Sequence, residues 1–201
     1  MLSSTYQQSS RSAPHFARRS LQSVDPDNIL LWRMNRQRLE AEALRDGLLS
    51  IARGLDRRPR GIAEKDPQSP RRTVYLRTAR IDRSGFGPLF DGADASIHVE
   101  KRTVSTIAPQ ALFLMNNPWV AQAIARIAER LELVDPSDVD RRIQMLYELV
   151  YGREATAKEL ELGREFLASQ ADVQGTSAES MGAWQTYVQA LVLANEFLYA
   201  D

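Results

Sequence analysis

Apolar residues recur every three or four positions through the second half of the chain. Val120, Ile124, Ile127 and Leu131 form one stripe, and Ile143, Leu146, Tyr147 and Val150 a second. Trp184, Tyr187, Val188, Leu191, Ala194 and Leu198 form a third. That spacing puts each set on one face of an α-helix. The helix ends are marked as well. Asn117-Pro118 places a capping side chain before a proline at the first helical position, so a helix runs from Pro118 to about Leu131. Asp135 to Asp138 opens the next helix and Gly152 ends it. Thr156 and Glu159 read as a capping box, each side chain satisfying a free backbone N–H. The helix behind them carries Leu160, Gly163, Phe166 and Leu167. A polar loop at 170–178 leads to a last helix over about 179–199, closed by Asn195 to Tyr199. Upstream, Thr106 is placed to cap a helix with Pro109 in its first turn. Helices joined by such short loops pack antiparallel.

The first half is less regular. Residues 1–24 are polar, with no sustained period, and read as a loop or detached arm. Asp25-Pro26-Asp27-Asn28 has the chemistry of a helix start, so a helix to about Leu55 is expected, with Asn35 a possible break and Gly54 a stop. Its stripe is Leu44, Leu48, Ile51 and Leu55. Residues 56–72 are charged and proline-containing and read as a mobile loop. Thr73 to Leu76 is β-branched and aromatic, which reads as a short strand. The fold class expected is therefore mainly α: a multi-helix bundle of antiparallel hairpins with a short strand-containing central loop region. A single helical domain spans 25–201.

Composition narrows the chemistry. The 201 residues contain no cysteine and two histidines, His15 and His98. Disulfides, thiol catalysis, thiolate metal sites and attached haem are excluded, and no cofactor is expected in this chain. The formal charge is zero, yet residues 1–80 carry 16 basic and 8 acidic side chains and residues 81–201 carry 10 and 18. Either the basic half serves a polyanion, or the halves neutralise each other internally. No basic run with interleaved aromatics is present, which favours the second reading, with no specific nucleic-acid partner. No apolar run approaches the ~20 residues of a membrane span, so no membrane insertion is expected. The N-terminus lacks a signal peptide's apolar core, and the chain as written would stay in the cytoplasm.

Two polar constellations stand out. In Lys101 to Leu112, Arg102, Ser105, Thr106 and Gln110 could hold an anion at a helix start or simply build a capped helix beginning. Arg102 is expected to pair with Asp91 or Asp94 and, with Gln110, to tie residues 89–94 to the helix. Removing one partner of a buried pair costs about 3 kcal/mol. Asp91 and Asp94 could act as paired carboxylates or take part in a calcium site, but D-x-x-D is too common to support either, and a structural role is the better reading. Asn195 and Glu196 read as structural polar residues. No catalytic or metal-ligating residue is assigned, and there is no P-loop, GxGxxG or GxSxG.

Several stretches together carry a resemblance. They are Leu2 to Ser10 (LSSTYQQSS), Asp25 to Asp46 (DPDNILLWRMNRQRLEAEALRD), Arg71 to Tyr75 (RRTVY), Leu89 to Asp91 (LFD), Arg102 to Leu112 (RTVSTIAPQAL) and Met115 to Pro118 (MNNP). Leu146-Tyr147, Gly152-Arg153, Glu159, Phe166-Leu167 and Asn195 to Tyr199 (NEFLY) complete them. The chain resembles domain-of-unknown-function family 1553, the planctomycete-type, cytochrome-c-associated domain. The resemblance implies the C-terminal part of a large exported protein that often carries a CxxCH haem module. It also implies that the family domain begins before LSSTYQQSS. The chain thus reads as N-terminally shortened, residues 1–24 as the remnant of a truncated part, and the stripe from Leu44 to Leu55 as partly uncovered. The resemblance assigns no catalytic residue.

Two functions follow. The first is an uncharacterised non-catalytic helical module, a scaffold or docking domain whose partners are other domains of the parent protein or a c-type cytochrome module. The alternative is a carbohydrate- or polymer-active extracellular enzyme or binding domain, with Trp32, Trp119 and Trp184 stacking on sugars beside Asp91 and Asp94. It requires the carboxylates and a tryptophan to converge in an open cleft.

Overall fold

A computed structural model describes residues 7–10, 21–59, 61–78, 85–135, 137–174 and 180–200. His15 and most of the LSSTYQQSS stretch lie outside them. The described chain is a mainly α, multi-helix bundle. Its helices are α1 (Leu21–Val24), α2 (Ala41–Ile51), α3 (Phe86–Leu89), α4 (Ala108–Asn116), α5 (Pro118–Glu129), α6 (Val139–Tyr151), α7 (Ala157–Gln174), α8 (Met181–Leu193) and α9 (Asn195–Leu198). Strands β1 (Gln37–Arg38) and β2 (Tyr199–Ala200) pair antiparallel, with Gln37 opposite Ala200 and Arg38 opposite Tyr199.

The C-terminal helices form where their local signals stand. The Asn117 side chain accepts from the Trp119 amide at 2.9 Å, with Pro118 behind it. Asp138 caps α6 by accepting from the Arg141 amide, and Gly152 ends that helix in the left-handed region at φ 72°. The Thr156 amide and hydroxyl both donate to Glu159 Oε2, at 2.7 and 2.8 Å. The stripes of α5 and α6 are buried, and α8 packs between α5 and α7 through Trp184, Val188 and Val192. Gly163 on α7 lets that helix approach closely. A Cβ there would lie 2.7 Å from the Tyr187 hydroxyl and 2.8 Å from Ile143 Cδ1.

Several expected elements differ. Residues 25–36 are not helical. The Asp25 carboxylate accepts from the amides of Ile29 and Leu30 at 3.0 and 2.8 Å, four and five residues on, instead of capping a first turn. Asn28 and Leu31 are left-handed, at φ 56° and 54°. The Asn28 side chain accepts from the Arg33 amide and donates to the Arg33 carbonyl, closing a compact turn. Side-chain bonds to the backbone have outcompeted the helix. The helix then starts at Ala41. Thr73–Tyr75 is a 3-10 turn, not a strand, and the described residues of 56–76 carry two isolated parallel bridges, Asp56 with Arg71 and Glu64 with Leu76. The paired strands lie elsewhere, at 37–38 and 199–200. The cap of α4 is Ile107, not Thr106, whose hydroxyl instead meets the Tyr199 hydroxyl at 3.2 Å. Helix α7 runs to Gln174, into the expected polar loop. The last helix breaks at Ala194, because the Leu39 amide donates to the Leu198 carbonyl and pulls the chain end into the strand pair.

The arm is not detached where it is described. Ser10 is buried, the Ser9 carbonyl accepts from the Met34 amide, and Arg36 donates to the Ser10 hydroxyl. Nor is the α2 stripe uncovered. Leu44 and Leu48 are buried, and Ile51 and Leu55 pack half-buried against the same core.

Candidate functional site

The first cluster forms where β1 meets the segment before α4. Arg38 donates to both the Ser105 carbonyl and Asp91 Oδ2, the latter at 2.5 Å. The Asp91 carboxylate also accepts from the Ser105 amide at 2.8 Å and the Ser105 hydroxyl at 2.9 Å. Burial pushes the Asp91 carboxyl upward, but the Ser105 amide, the Arg38 guanidinium and the Ser105 hydroxyl outweigh it and leave it below its ordinary value. It is a closed anion with both oxygens engaged. Gln110 is buried. Its Nε2 donates to the carbonyls of Leu89 and Ser105 at 3.0 and 3.3 Å, and its Oε1 accepts from the Ile107 amide at 3.3 Å. Gln110 thus ties residues 89–91 to the start of α4, while Thr106 points to Tyr199.

Arg102 lies apart from this cluster. It pairs with Glu42 at 2.7 Å and Glu40 at 3.4 Å, at the first turn of α2, and not with Asp91 or Asp94. Its side chain is 34% exposed, so the buried pair expected there does not form. Arg38 has taken its place, because the β1–β2 pairing delivers Arg38 to Asp91. Asp94 accepts from the Ser96 amide at 2.7 Å in a local turn.

The second cluster was not anticipated. Arg45 on α2 is 2% exposed. Its guanidinium donates to the carbonyls of Arg71 (3.0 Å), Pro67 (3.1 Å) and Ser69 (2.6 Å), and to the Thr73 hydroxyl (3.2 Å). It also lies over the Trp119 ring, 5.3 Å from its centroid. Asp46, next along α2, accepts from the Thr73 amide and hydroxyl. One helical turn thereby organises the loop expected to be mobile. A cation in register with the buried Leu44, Leu48 and Leu49 was the available signal.

The third cluster joins α6, α7 and α9. Arg153 donates two bonds to Glu159, at 2.7 and 2.9 Å, and two to Glu196, at 2.6 and 2.8 Å. Its guanidinium lies over the rings of Tyr147 and Tyr151. Held by Arg153, Glu159 falls to about 2, and Arg153 is raised. Glu196 thus links the first turn of α9 to Arg153, just past the end of α6, and both Glu196 and Asn195 are exposed.

These clusters can bind and brace. Among the described residues, no group of three or more His, Asp or Glu side chains could hold a metal ion. Nor is any described helix long and apolar enough to cross a membrane. The tryptophans and carboxylates required for polymer binding do not converge. Trp119 and Trp184 are 9% and 1% exposed within the core, and Trp32 donates to the Asp25 carbonyl in its own turn.

The fold also presents apolar side chains outward. In the turn closed by Asp25 and Asn28, Ile29, Leu30 and Leu31 are 78%, 77% and 53% exposed. Helix α4 exposes Leu112 and Met115 and contains no charged residue.

The PSD1 family, described as a protein of unknown function (DUF1553), matches residues 1–167. No curated protein and no solved structure matches the chain.

Proposed function

The chain belongs to the DUF1553 family, and from that premise we propose that it is a non-catalytic docking module of an exported, cytochrome-c-associated multidomain protein. The observation that carries this reading is the 25–35 turn. Three consecutive large aliphatic side chains stand in solvent on a backbone fixed by the Asp25 carboxylate and the Asn28 amide. Exposed apolar side chains grouped in this way mark interaction sites. A preformed turn also loses little conformational freedom when it docks, so more of the burial free energy is retained. Burying the three side chains contributes about 5 kcal/mol before association costs. Among the described residues the dense polar clusters are closed by internal partners, which fits a structural role for them. The partner is a c-type cytochrome module or another domain of the parent protein.

The test is calorimetric titration of the chain with a purified c-type cytochrome module from a protein that also carries a DUF1553 domain. One-to-one saturable binding is expected. Leu30→Asp should weaken it at least tenfold and leave the melting temperature unchanged, since Leu30 is exposed. Absence of binding, or equal binding by the variant, overturns the assignment.

A further inference from the structure

Four arginines converge on the last turn of α2 without a carboxylate among them. Arg130 Nη1 donates to the Ile51 carbonyl at 2.5 Å. Arg57 Nη2 donates to the Ser50 hydroxyl at 2.9 Å. The Arg126 guanidinium passes over Gly54, so that a Cβ at that position would lie 2.9 Å from Arg126 Nη1. Arg53 stands within the same turn, exposed, on a left-handed backbone at φ 52°. None of the four has an ion pair among the described residues. Asp56, beside Arg57 in the chain, is engaged by Arg58 at 2.7 Å, and Glu129, which lies between Arg126 and Arg130, is exposed and pairs with neither among the described residues.

Several other arginines have carboxylate partners, Arg38 with Asp91, Arg102 with Glu42, Arg153 with two glutamates and Arg164 with Asp140, while the buried Arg45 and Arg142 are closed by backbone carbonyls. The carbonyl end of α2 offsets only part of the charge on this turn. Arg130 is half-buried, and its guanidinium is held below its ordinary value by burial and then by the charge of Arg53. The like charges of Arg53 and Arg130 are thus held together at a cost that a bound anion would relieve.

We propose that the last turn of α2 is an oxyanion site, in which Arg53, Arg57, Arg126 and Arg130 bind a tetrahedral oxyanion, sulfate or phosphate, free or as an ester on a polymer. Four guanidinium groups carry more charge than one carboxylate neutralises. They also approach from the segment that follows α2 and from the end of α5, which suits an acceptor with oxygens in several directions. Arginine forks match such oxyanions through paired N–H donors. Gly54 is part of the site because it makes room for the Arg126 side chain.

The test titrates the full chain with inorganic sulfate and then inorganic phosphate at constant ionic strength in chloride. Parallel arms use dextran sulfate and polyglutamate. Saturable one-to-one sulfate or phosphate binding is expected, accompanied by a rise in Tm of about 5–10 °C at a hundredfold excess over Kd. Arg126→Gln should weaken binding at least tenfold. Gly54→Ala should weaken it also, by displacing only the flexible end of Arg126. Arg58→Gln, which removes a cation already paired, should leave it unchanged. Both arginine substitutions are at exposed positions, so the variants fold. Binding of dextran sulfate alone, still sensitive to Arg126→Gln, supports the polymer-borne ester; binding of the free ions supports the free oxyanion. Absence of saturable binding, equal binding by Arg126→Gln, or tight binding of polyglutamate only, overturns the proposal.

Discussion

Replacing Arg45 with Met keeps an unbranched apolar stem and removes the charge and the donors. Four acceptors then lose their partner: the carbonyls of Pro67, Ser69 and Arg71, and the Thr73 hydroxyl. A hydrogen bond to a charged group contributes about 1.5–3 kcal/mol, and four would sum to an upper bound near 6–12 kcal/mol. The true loss is smaller for two reasons. Pro67 is exposed, so its carbonyl can turn to water, and burying the uncompensated part of the guanidinium charge already costs stability. The expected loss is about 3–4 kcal/mol. Arg45→Lys, which keeps the charge but has no planar fork to span the four acceptors, should lose about 2 kcal/mol. Urea unfolding followed by tryptophan fluorescence measures the loss, and hydrogen exchange locates it. Residues 61–76 should lose protection, while α5, α6 and α8 keep theirs. A Met variant within about 1 kcal/mol of the parent, with residues 61–76 still protected, would refute the claim that Arg45 organises that loop.

Other substitutions test separate joints of the fold. Glu159 falls from an ordinary 4.5 to about 2 through its bonds to Arg153, so its stabilisation is complete above pH 4.5 and lost as the pH falls toward 2. Glu159→Gln should therefore cost about 2–3 kcal/mol at pH 7 and much less at pH 2.5, read from urea midpoints at the two pH values. Arg102→Ala should cost no more than about 1 kcal/mol, because its pair with Glu42 is partly solvated; a Tm drop as large as that of Arg45→Met would contradict this placement. Gly163→Ala, normally favourable inside a helix, should instead destabilise by about 1–3 kcal/mol, since the added Cβ strikes Tyr187 and Ile143. A higher Tm for that variant would show that α7 does not approach α6 and α8 so closely.

Helices α5, α6 and the start of α7 were legible because their signals are local. Asn117-Pro118, Asp138, Gly152 and the Thr156–Glu159 box each act within a few residues, and the stripes between them match the helical period. Residues 25–36 were misread because Asp25 and Asn28 are as good at closing a turn as at capping a helix. Only the identity of the amides they bind distinguishes the two. The last helix was read through Ala194 because its apolar period continues, whereas the break is imposed by pairing with a strand more than 150 residues away. The same pairing decides that Arg38, and not Arg102, meets Asp91. Neighbouring arginines are indistinguishable until tertiary contacts place one of them. Gln110 could be assigned because one of its partners is the amide three residues before it. The Arg45 cluster draws its acceptors from 22 to 28 residues away, beyond the reach of any periodic pattern.

If the helical module meets its partner through the turn that carries Ile29, Leu30 and Leu31, hydrogen exchange of the chain alone and with a c-type cytochrome module should show new protection confined to residues 25–35, with exchange around Asp91, Ser105 and Gln110 unchanged. Protection centred on those three residues instead, or no change at the turn while the cytochrome module binds, would contradict it.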